Sequence, residues 1–268
     1  MSEVVTVFGA DKCQGKAIAT ALLQDGDFTV RAVVQELTSP TAQELQTAGA
    51  HPLLVDFNNP DSISATLCGA HKCFVITHTD FNNKDSLRAE VQQGHRIADI
   101  CKQHNIRQIV LSGAHHVHRK YGLPARHMDA KACINDYMNE IGLPKTEIIV
   151  PFYFESFLTT FKPNPVGNNT YKIVIPMGET AMDGISINQI GPIVTALFKS
   201  PQRWIGKSCF LSAGRLKIQE YAQILTHHLY PKQFKDSRQG HWKENGRRFP
   251  EFLSLKLIFT TALLLLEN

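Results

Sequence analysis

Short apolar runs alternate with amphipathic segments along the first 150 residues of the chain. Runs rich in Val and Ile predict β-strands, because a strand that is buried on both faces shows a nearly continuous apolar run. Six such strands are predicted over residues 4–8, 28–34, 52–57, 72–77, 108–112 and 147–150. The segments between them place apolar residues at helical spacing. Strands and helices in this order predict a Rossmann-like doubly wound parallel sheet of the α/β class.

Two helix starts are marked by local chemistry. Ser39 and Asn59 are both followed by proline. Each pair combines a capping side chain with a proline at the first helical position, where the missing N–H has no cost. We therefore expect helices to begin at residues 40 and 60.

The alternation weakens after about residue 154. A turn-rich loop, "KPNPVGNN", precedes the apolar run "TYKIVIPMG", which no longer lies within a βα repeat. Ser186 and Gln189 have the spacing of a capping box that begins a further helix. We expect two domains: a dinucleotide-binding Rossmann domain over residues 1–154 and a smaller C-terminal α+β lobe over residues 155–268.

Composition narrows the functional classes. The net charge is +4 in 268 residues, and the basic residues form no concentrated stripe along the chain. We therefore expect no direct binding to nucleic acid. Six cysteines without a Cys-x-x-Cys pair, together with no signal peptide, predict reduced thiols in a cytoplasmic protein, with the nucleus as an alternative. The tail "FLSLKLIFTTALLLL" would span only about 22 Å as a helix, so a buried C-terminal helix or an atypical end is expected rather than a membrane anchor.

The segment "TVFGADKCQGKAIATALL" carries the candidate chemistry. In a dinucleotide-binding fold, the first glycine permits the tight turn, the middle one lets backbone N–H groups approach the pyrophosphate, and the last lets the helix pack closely. Gly9 and Gly15 suit the first and last roles. Lys12 cannot copy the middle role, although it brings a positive charge near the phosphates. The loop therefore predicts a dinucleotide site, either working or vestigial.

The sequence resembles the NmrA-like family of atypical short-chain dehydrogenases/reductases, and within it the animal NmrA-like proteins that act as NADP(H) sensors. The resemblance is carried by the glycine loop, "VLSGAHH", "HMDAK", "VPFYFESFL" and "PMGETAMDGISINQIGPIV". It covers residues 1 to about 230 and fades beyond. It implies a Rossmann domain that binds NADP(H), with the cofactor in a cleft beside the smaller lobe.

The resemblance also implies which residues contact the cofactor. They are Gly9, Ala10, Asp11, Lys12, Cys13, Gln14, Gly15, Gln35, Asp56, Thr77, Lys131, Tyr153, Phe154, Glu155 and Ser156. Within the loop only Gly9, Gln14 and Gly15 match the family's usual residues. The family's arginine for the adenosine 2′-phosphate falls on Gln35, and a neutral amide cannot replace a guanidinium there. Lys12 and Gln35 thus count as two independently weakened contacts, and binding is expected to be weaker or shifted toward NAD(H).

Catalysis in short-chain reductases normally requires Tyr-x-x-x-Lys on a helix. None of the six tyrosines has a lysine four residues later, and His127 stands four residues before Lys131. The NmrA-like sensors also lack this tyrosine. We therefore expect no confident catalytic residue, with Lys131 and His127 as the candidates if the protein is an enzyme.

Two further features offer weaker signals. His115, His116 and His118 follow a predicted strand, but no acidic or cysteine partner lies nearby in sequence, so no metal site is expected. Cys13 lies in the loop near a helix N-terminus, which favours a thiolate. It is either a small filler or a redox-sensitive thiol whose oxidation would block the cofactor.

Three functions remain open at this point. The first is a non-catalytic NAD(P)(H)-binding redox sensor that acts through regulatory protein partners, with transcription as one field of action and a homodimer as one assembly. The second is an NAD(P)H-dependent reductase that uses Lys131. The third is an interaction protein that has lost its cofactor.

Overall fold

A computed structural model describes residues 2–237 of the chain, and the apolar C-terminal tail lies outside the described residues. The helices are α1 (Cys13–Asp25), α2 (Pro40–Thr47), α3 (Pro60–Leu67), α4 (Ser86–Gln103), α5 (Val117–Tyr121), α6 (Arg126–Glu140), α7 (Ile187–Lys199), α8 (Pro201–Trp204) and α9 (Ile218–His228). A 3-10 helix spans Phe154–Leu158.

Thirteen strands are found among the described residues. Those of the main sheet are β1 (Glu3–Val7), β2 (Phe28–Val34), β3 (His51–Leu54), β4 (Lys72–Val75), β5 (Gln108–Gly113), β6 (Lys145–Ile149) and β11 (Ser208–Phe210). The others are β7 (Phe152–Tyr153), β8 (Asn164–Gly167), β9 (Thr170–Ile173), β10 (Met182–Ile185), β12 (Gly214–Leu216) and β13 (Gln233–Asp236). Within residues 2–237, no helix combines the length and apolar character that a bilayer span requires.

The chain divides into two compact units that are not consecutive in sequence. Among the described residues, the first contains residues 2–116, Arg126–Val150 and Ile187–Leu211, and the second contains Val117–Ala125, Pro151–Ser186 and residues 212–237. The chain leaves the first unit after Val150 and returns to it at Ile187, so the first unit extends beyond residue 154. Helix α7 and strand β11, which the sequence pattern placed in the smaller lobe, lie in the first unit because β11 pairs with β6 and α7 contacts α1.

The main sheet has seven strands in the order β11-β6-β5-β4-β1-β2-β3, and every pairing in it is parallel. The chain runs outward from β1 through β2 to β3, and then returns to β4 on the other side of β1. The strand order therefore reverses between β1 and β4. This topology confirms the predicted Rossmann-like doubly wound sheet, and open α/β sheets bind ligands at such a switch point.

Helices cover both faces of this sheet. One face contacts α3, α4 and α6 through a buried cluster that includes Phe8, Ile63, Ile97 and Ile134. Close approach between α4 and α6 needs Gly94, since a Cβ there would lie 2.3 Å from Ile134 Cδ1. On the other helix layer, α1 contacts α7. Burial on both faces explains why the strands read as continuous apolar runs.

The last turn of α7 is fixed by buried polar side chains at the starts of β4 and β5. Lys72 Nζ donates to Phe198 O at 2.6 Å, and Gln108 Nε2 donates to Leu197 O at 2.8 Å. The final carbonyls of a helix have no intrahelical partner. These two donors therefore bond to carbonyl oxygens that would otherwise be buried without a hydrogen-bond partner. Lys72 is itself paired with Glu3 at 2.6 Å. The polar contacts therefore attach α7 to the sheet although it is distant in sequence.

The second unit contains two three-stranded sheets, in the orders β12-β10-β7 and β13-β9-β8. Its apolar cluster joins Phe152 and Phe157 with Met182 and Tyr221. Tyr221 on α9 donates its hydroxyl proton to Met182 O at 3.1 Å, and burial raises the pKa of that phenol to about 12. This small core confirms the predicted α+β character of the smaller lobe.

Candidate functional site

The glycine loop lies between β1 and α1, at the switch point of the sheet. Gly9 has a φ of +67°, a left-handed conformation that favours glycine. A Cβ on Gly15 would lie 2.2 Å from Gly9 O, so the first turn of α1 rests directly on the loop backbone. Both glycines thus have a steric reason to be present. Phe8 N donates to Phe74 O at 3.0 Å, which connects the start of the loop to β4.

Helix α1 begins without a side-chain cap. Lys12 is the N-cap residue, with φ −99° and ψ 159°, and its side chain makes no capping hydrogen bond. The first turn of α1 contains no acidic residue. N–H groups at a helix N-terminus and the positive end of the helix dipole favour an anion. The loop therefore retains the electrostatic character of a phosphate site.

Lys12 contacts the residue that follows β2. Its Nζ lies 3.0 Å from Gln35 Oε1 and 3.0 Å from Asp11 Oδ2. Ala10 N donates to Val33 O at 2.9 Å, which brings the loop alongside the end of β2. Lys12 and Gln35, which the sequence analysis counts as two independent changes, are therefore in direct contact.

A buried carboxylate, Glu90 on α4, holds Lys131. Glu90 is only 2% exposed. Its Oε1 accepts from Thr77 Oγ1 at 2.6 Å and from Lys131 Nζ, and its Oε2 accepts from Thr79 Oγ1. Lys131 Nζ also donates to Thr77 O at 3.1 Å. Thr77 follows β4, so the structure brings Thr77 and Lys131, both predicted site residues, to the β4 side of the switch point.

Sequence reasoning missed Glu90. Its signal is a carboxylate placed four residues before Gly94 on the buried face of a helix. A buried carboxylate needs a partner, and the sequence offered Lys131 as a cation to which no anionic partner had been assigned. Only the tertiary fold shows that these two residues meet.

His127 occupies the position where a catalytic tyrosine would precede Lys131 by one helical turn. Its ring centroid lies 5.8 Å from that of Phe81 at an interplanar angle of 58°. Phe81 is 66% exposed. The His127 imidazole, at the start of α6, therefore packs against the ring of Phe81.

The remaining predicted residues are distributed differently. Asp56 shapes its own turn, since Asn58 N donates to Asp56 Oδ1 at 2.8 Å. Tyr153, Phe154, Glu155 and Ser156 lie in the second unit, at the end of β7 and in the 3-10 helix. There Glu155 Oε1 accepts from Ser186 Oγ, a residue that the sequence pattern placed in a capping box. The contacts of these four residues with a cofactor stay a prediction.

A second group of titratable side chains lies at the ends of β5 and β6. His116 Nε2 is 2.8 Å from Asp136 Oδ2, an acidic partner that α6 supplies from twenty positions later. His115 stacks on Phe210 with ring centroids 5.4 Å apart. In the part of the chain that the structure describes, no cluster of three or more metal-ligating side chains is found. His115 and His116 thus contact side chains of β11 and α6.

Glu147 on β6 is the buried acid of this group. Its Oε2 accepts from Ser208 Oγ at 2.6 Å, and a Cβ on Gly113 would lie 2.1 Å from its Oε1. Burial raises the pKa of Glu147 above its ordinary value of 4.5 and lowers the pKa of the neighbouring Lys145. The sheet therefore encloses a carboxyl group that loses its proton less readily than an exposed glutamate does.

The raised pKa of Glu147 predicts a pH dependence of stability. The stabilisation from its protonated form is complete below the unfolded value of 4.5 and is lost as the pH rises through the higher folded pKa. Glu147→Gln should flatten this fall in the free energy of unfolding, measured by urea denaturation across the pH range. The surface variant Glu44→Gln serves as the control. An unchanged pH profile in Glu147→Gln would show that Glu147 does not cause the dependence.

The geometry defines a Rossmann-like protein with a glycine loop at its switch point, and comparison with known protein families agrees with this class. The model of the NmrA-like family matches residues 1–232. The chain therefore belongs to the NmrA-like family, and the match ends near residue 230, where the resemblance fades.

Relatives and solved structures extend this result. An NmrA-like family domain-containing protein of Dictyostelium discoideum is 23% identical over 97% of this chain and 87% of its own length. An NmrA-like family domain-containing oxidoreductase of Aspergillus flavus is 26% identical over 76% of this chain and 66% of its own length. The structure of NmrA, a negative transcriptional regulator, in complex with NAD aligns with a TM-score of 0.82 at 20% identity, covering 97% of this chain and 82% of that one. NmrA has also been crystallised with NADP. At this identity the structural likeness establishes the fold.

Proposed function

We propose that this protein binds a nicotinamide dinucleotide at the β1–α1 loop without turning it over. The observation that carries the proposal is the loop itself, in which Gly9 and Gly15 keep the close backbone approach and α1 begins without a side-chain cap. NmrA, which has this fold, binds both NAD and NADP. Cofactor occupancy would then favour one arrangement of the loop, and a regulatory protein partner would read it.

The surroundings of Lys131 support a non-catalytic role. A lysine promotes proton transfer in a reductase because its positive charge lowers the pKa of a neighbouring tyrosine. Here Glu90 is in contact with the ammonium group and compensates its charge, and His127 stands in place of the tyrosine. Two of the three N–H bonds of Lys131 are used by Glu90 and Thr77 O. The group is better suited to hold a ligand hydroxyl than to drive proton transfer.

NmrA, which has this fold, is a negative transcriptional regulator, and this supports a regulatory role. By this proposal the protein acts as a redox sensor through protein partners, with transcription as one field of action. Direct contact with nucleic acid is not required, in keeping with the mild net charge of +4.

A reductase is the second candidate, favoured by the naming of fungal relatives as oxidoreductases and by the presence of Lys131. An interaction protein without cofactor is the third, favoured by the substituted centre of the loop. Each of the three predicts a different combination of binding and turnover.

Calorimetric titration with NADP, NADPH, NAD and NADH distinguishes the three functions. We expect micromolar binding, together with no oxidation of NADPH or NADH when quinones and aldehydes are offered as acceptors. Acceptor-dependent oxidation would favour the reductase, and absence of binding to all four dinucleotides would favour the interaction protein. Gly214→Ala, in which the new Cβ meets nothing within 4 Å, is a matched control for the effect of purification and substitution.

A further inference from the structure

The side chain of Lys12 lies at the place where a Rossmann fold distinguishes its two nicotinamide dinucleotides. In a βαβ unit, the residue at the end of the second strand contacts the adenosine ribose, either as a free 2′-hydroxyl or as a 2′-phosphate. In this chain that residue is Gln35, directly after β2, and Lys12 Nζ lies 3.0 Å from its Oε1. The ammonium group of Lys12 thus lies beside the end of β2, where Gln35 supplies no positive charge.

The backbone explains how the lysine reaches this position. Lys12 has the extended conformation of an N-cap residue, and its own N–H donates to Gly9 O at 3.0 Å. Ala10 N donates to Val33 O, so the loop and the end of β2 are held together. The four-carbon stem of lysine spans the remaining distance, and the side chain stays 45% exposed. An exposed flexible ammonium can exchange a neutral amide for a stronger anionic partner.

The hydroxyl groups that follow β2 are engaged with neighbouring residues, so a phosphate contact there falls to Lys12. Thr38 Oγ1 donates to the Glu36 carboxylate, and Ser39 Oγ donates to Glu36 O and accepts from Ala42 N. These groups already have partners within their own turn. Lys16, one turn further along α1, is paired with Glu44 of α2. Lys12 is held by Asp11 and by the neutral Gln35, and the amide partner is the weaker of the two.

We propose that Lys12 binds the adenosine 2′-phosphate in place of the family's arginine, whose position holds Gln35 in this chain, so that the chain prefers NADP(H) to NAD(H). This inference rests on the proposed function, since it requires a dinucleotide at the loop. Lys12 Nζ leaves Gln35 Oε1 and donates to a phosphate oxygen, while the Gln35 amide N–H becomes a second donor. The central substitution of the loop and the loss of a basic residue after β2 are then two parts of one change.

The test compares NADP and NAD binding by calorimetry in the wild type and in variants. Lys12→Ala should weaken NADP binding by about 10- to 100-fold, the range for a charge-assisted hydrogen bond. Binding of NAD should change by less than about threefold, because its adenosine ribose carries no phosphate for Lys12 to hold. Lys16→Ala removes a lysine from the same helix and should leave both affinities unchanged. The double variant Lys12→Ala/Gln35→Arg should recover NADP binding, since the guanidinium restores a cation at the strand end.

The outcomes separate this inference from the proposed function. Equal weakening of NADP and NAD by Lys12→Ala would place the lysine on the pyrophosphate and overturn the inference alone. An unchanged affinity for both would overturn it in the same way. Absence of binding of either dinucleotide to the wild type would overturn the proposed function together with the inference.

Discussion

Replacing Glu90 by alanine is expected to lower the free energy of unfolding by about 3 kcal/mol, because removing one member of a buried ion pair leaves the other without its partner. Glu90 is 2% exposed and accepts hydrogen bonds from Thr77, Thr79 and Lys131. All three donors lose this acceptor in Glu90→Ala, and the cavity gives them no replacement. Urea denaturation monitored by circular dichroism measures the loss.

Two further variants test the physical cause of that loss. Glu90→Ala/Lys131→Met removes both charges and should recover part of the lost stability, because the uncompensated ammonium is gone. Glu44→Ala breaks an ion pair whose side chains are 41% and 61% exposed, and it should cost less than about 0.5 kcal/mol. If Glu90→Ala costs no more than Glu44→Ala, the buried pair does not hold this part of the fold.

Replacing Gly15 by alanine is expected to abolish dinucleotide binding and to cost roughly 3 kcal/mol of stability, at the upper end of the usual range for overpacking. The added methyl group would lie 2.2 Å from Gly9 O and 2.9 Å from Ala10 N. Both atoms belong to the backbone of the loop, so a side-chain rotation cannot relieve the overlap. Helix α1 must move away from the loop, which spoils the anion-binding geometry.

The matched control is Gly214→Ala, where a Cβ meets nothing within 4 Å. Thermal unfolding and calorimetric titration of both variants measure the two effects together. Retention of wild-type affinity in Gly15→Ala would show that the close approach of α1 to the loop is not needed for binding.

Local chemistry made much of the first unit predictable. Strand β2 was expected over residues 28–34 and spans Phe28–Val34, because its apolar run begins after Gly26-Asp27 and ends at the polar pair Gln35-Glu36. The two capping predictions are confirmed, since Ser39 Oγ accepts from Ala42 N and Asn59 Oδ1 accepts from Asp61 N. These features depend on residues a few positions apart, which is the range over which sequence patterns act.

Features that depend on distant contacts were not predictable. Strand β11 has only three residues, one of them the half-exposed Phe210, so its pairing with β6 leaves no periodic signal. Glu90 and Lys131 meet across 41 positions, and Lys12 and Gln35 meet across 23. A single sequence shows each residue but not the pair. For Lys12 and Gln35 this changed the interpretation, because two separate losses became one contact.

The discontinuous first unit bears on how the protein is made. Six strands of the main sheet leave the ribosome before residues 151–186 of the second unit, whereas α7 and β11 follow only after residue 186. Until then α1 lacks the neighbour that approaches it so closely that a Cβ on Gly191 would lie 2.5 Å from Ala17 O. Apolar helix surface that stays exposed during synthesis favours aggregation, which chaperones counteract. Completion of the sheet is thus a late step of synthesis, and a fragment that stops at residue 154 lacks one strand and one covering helix.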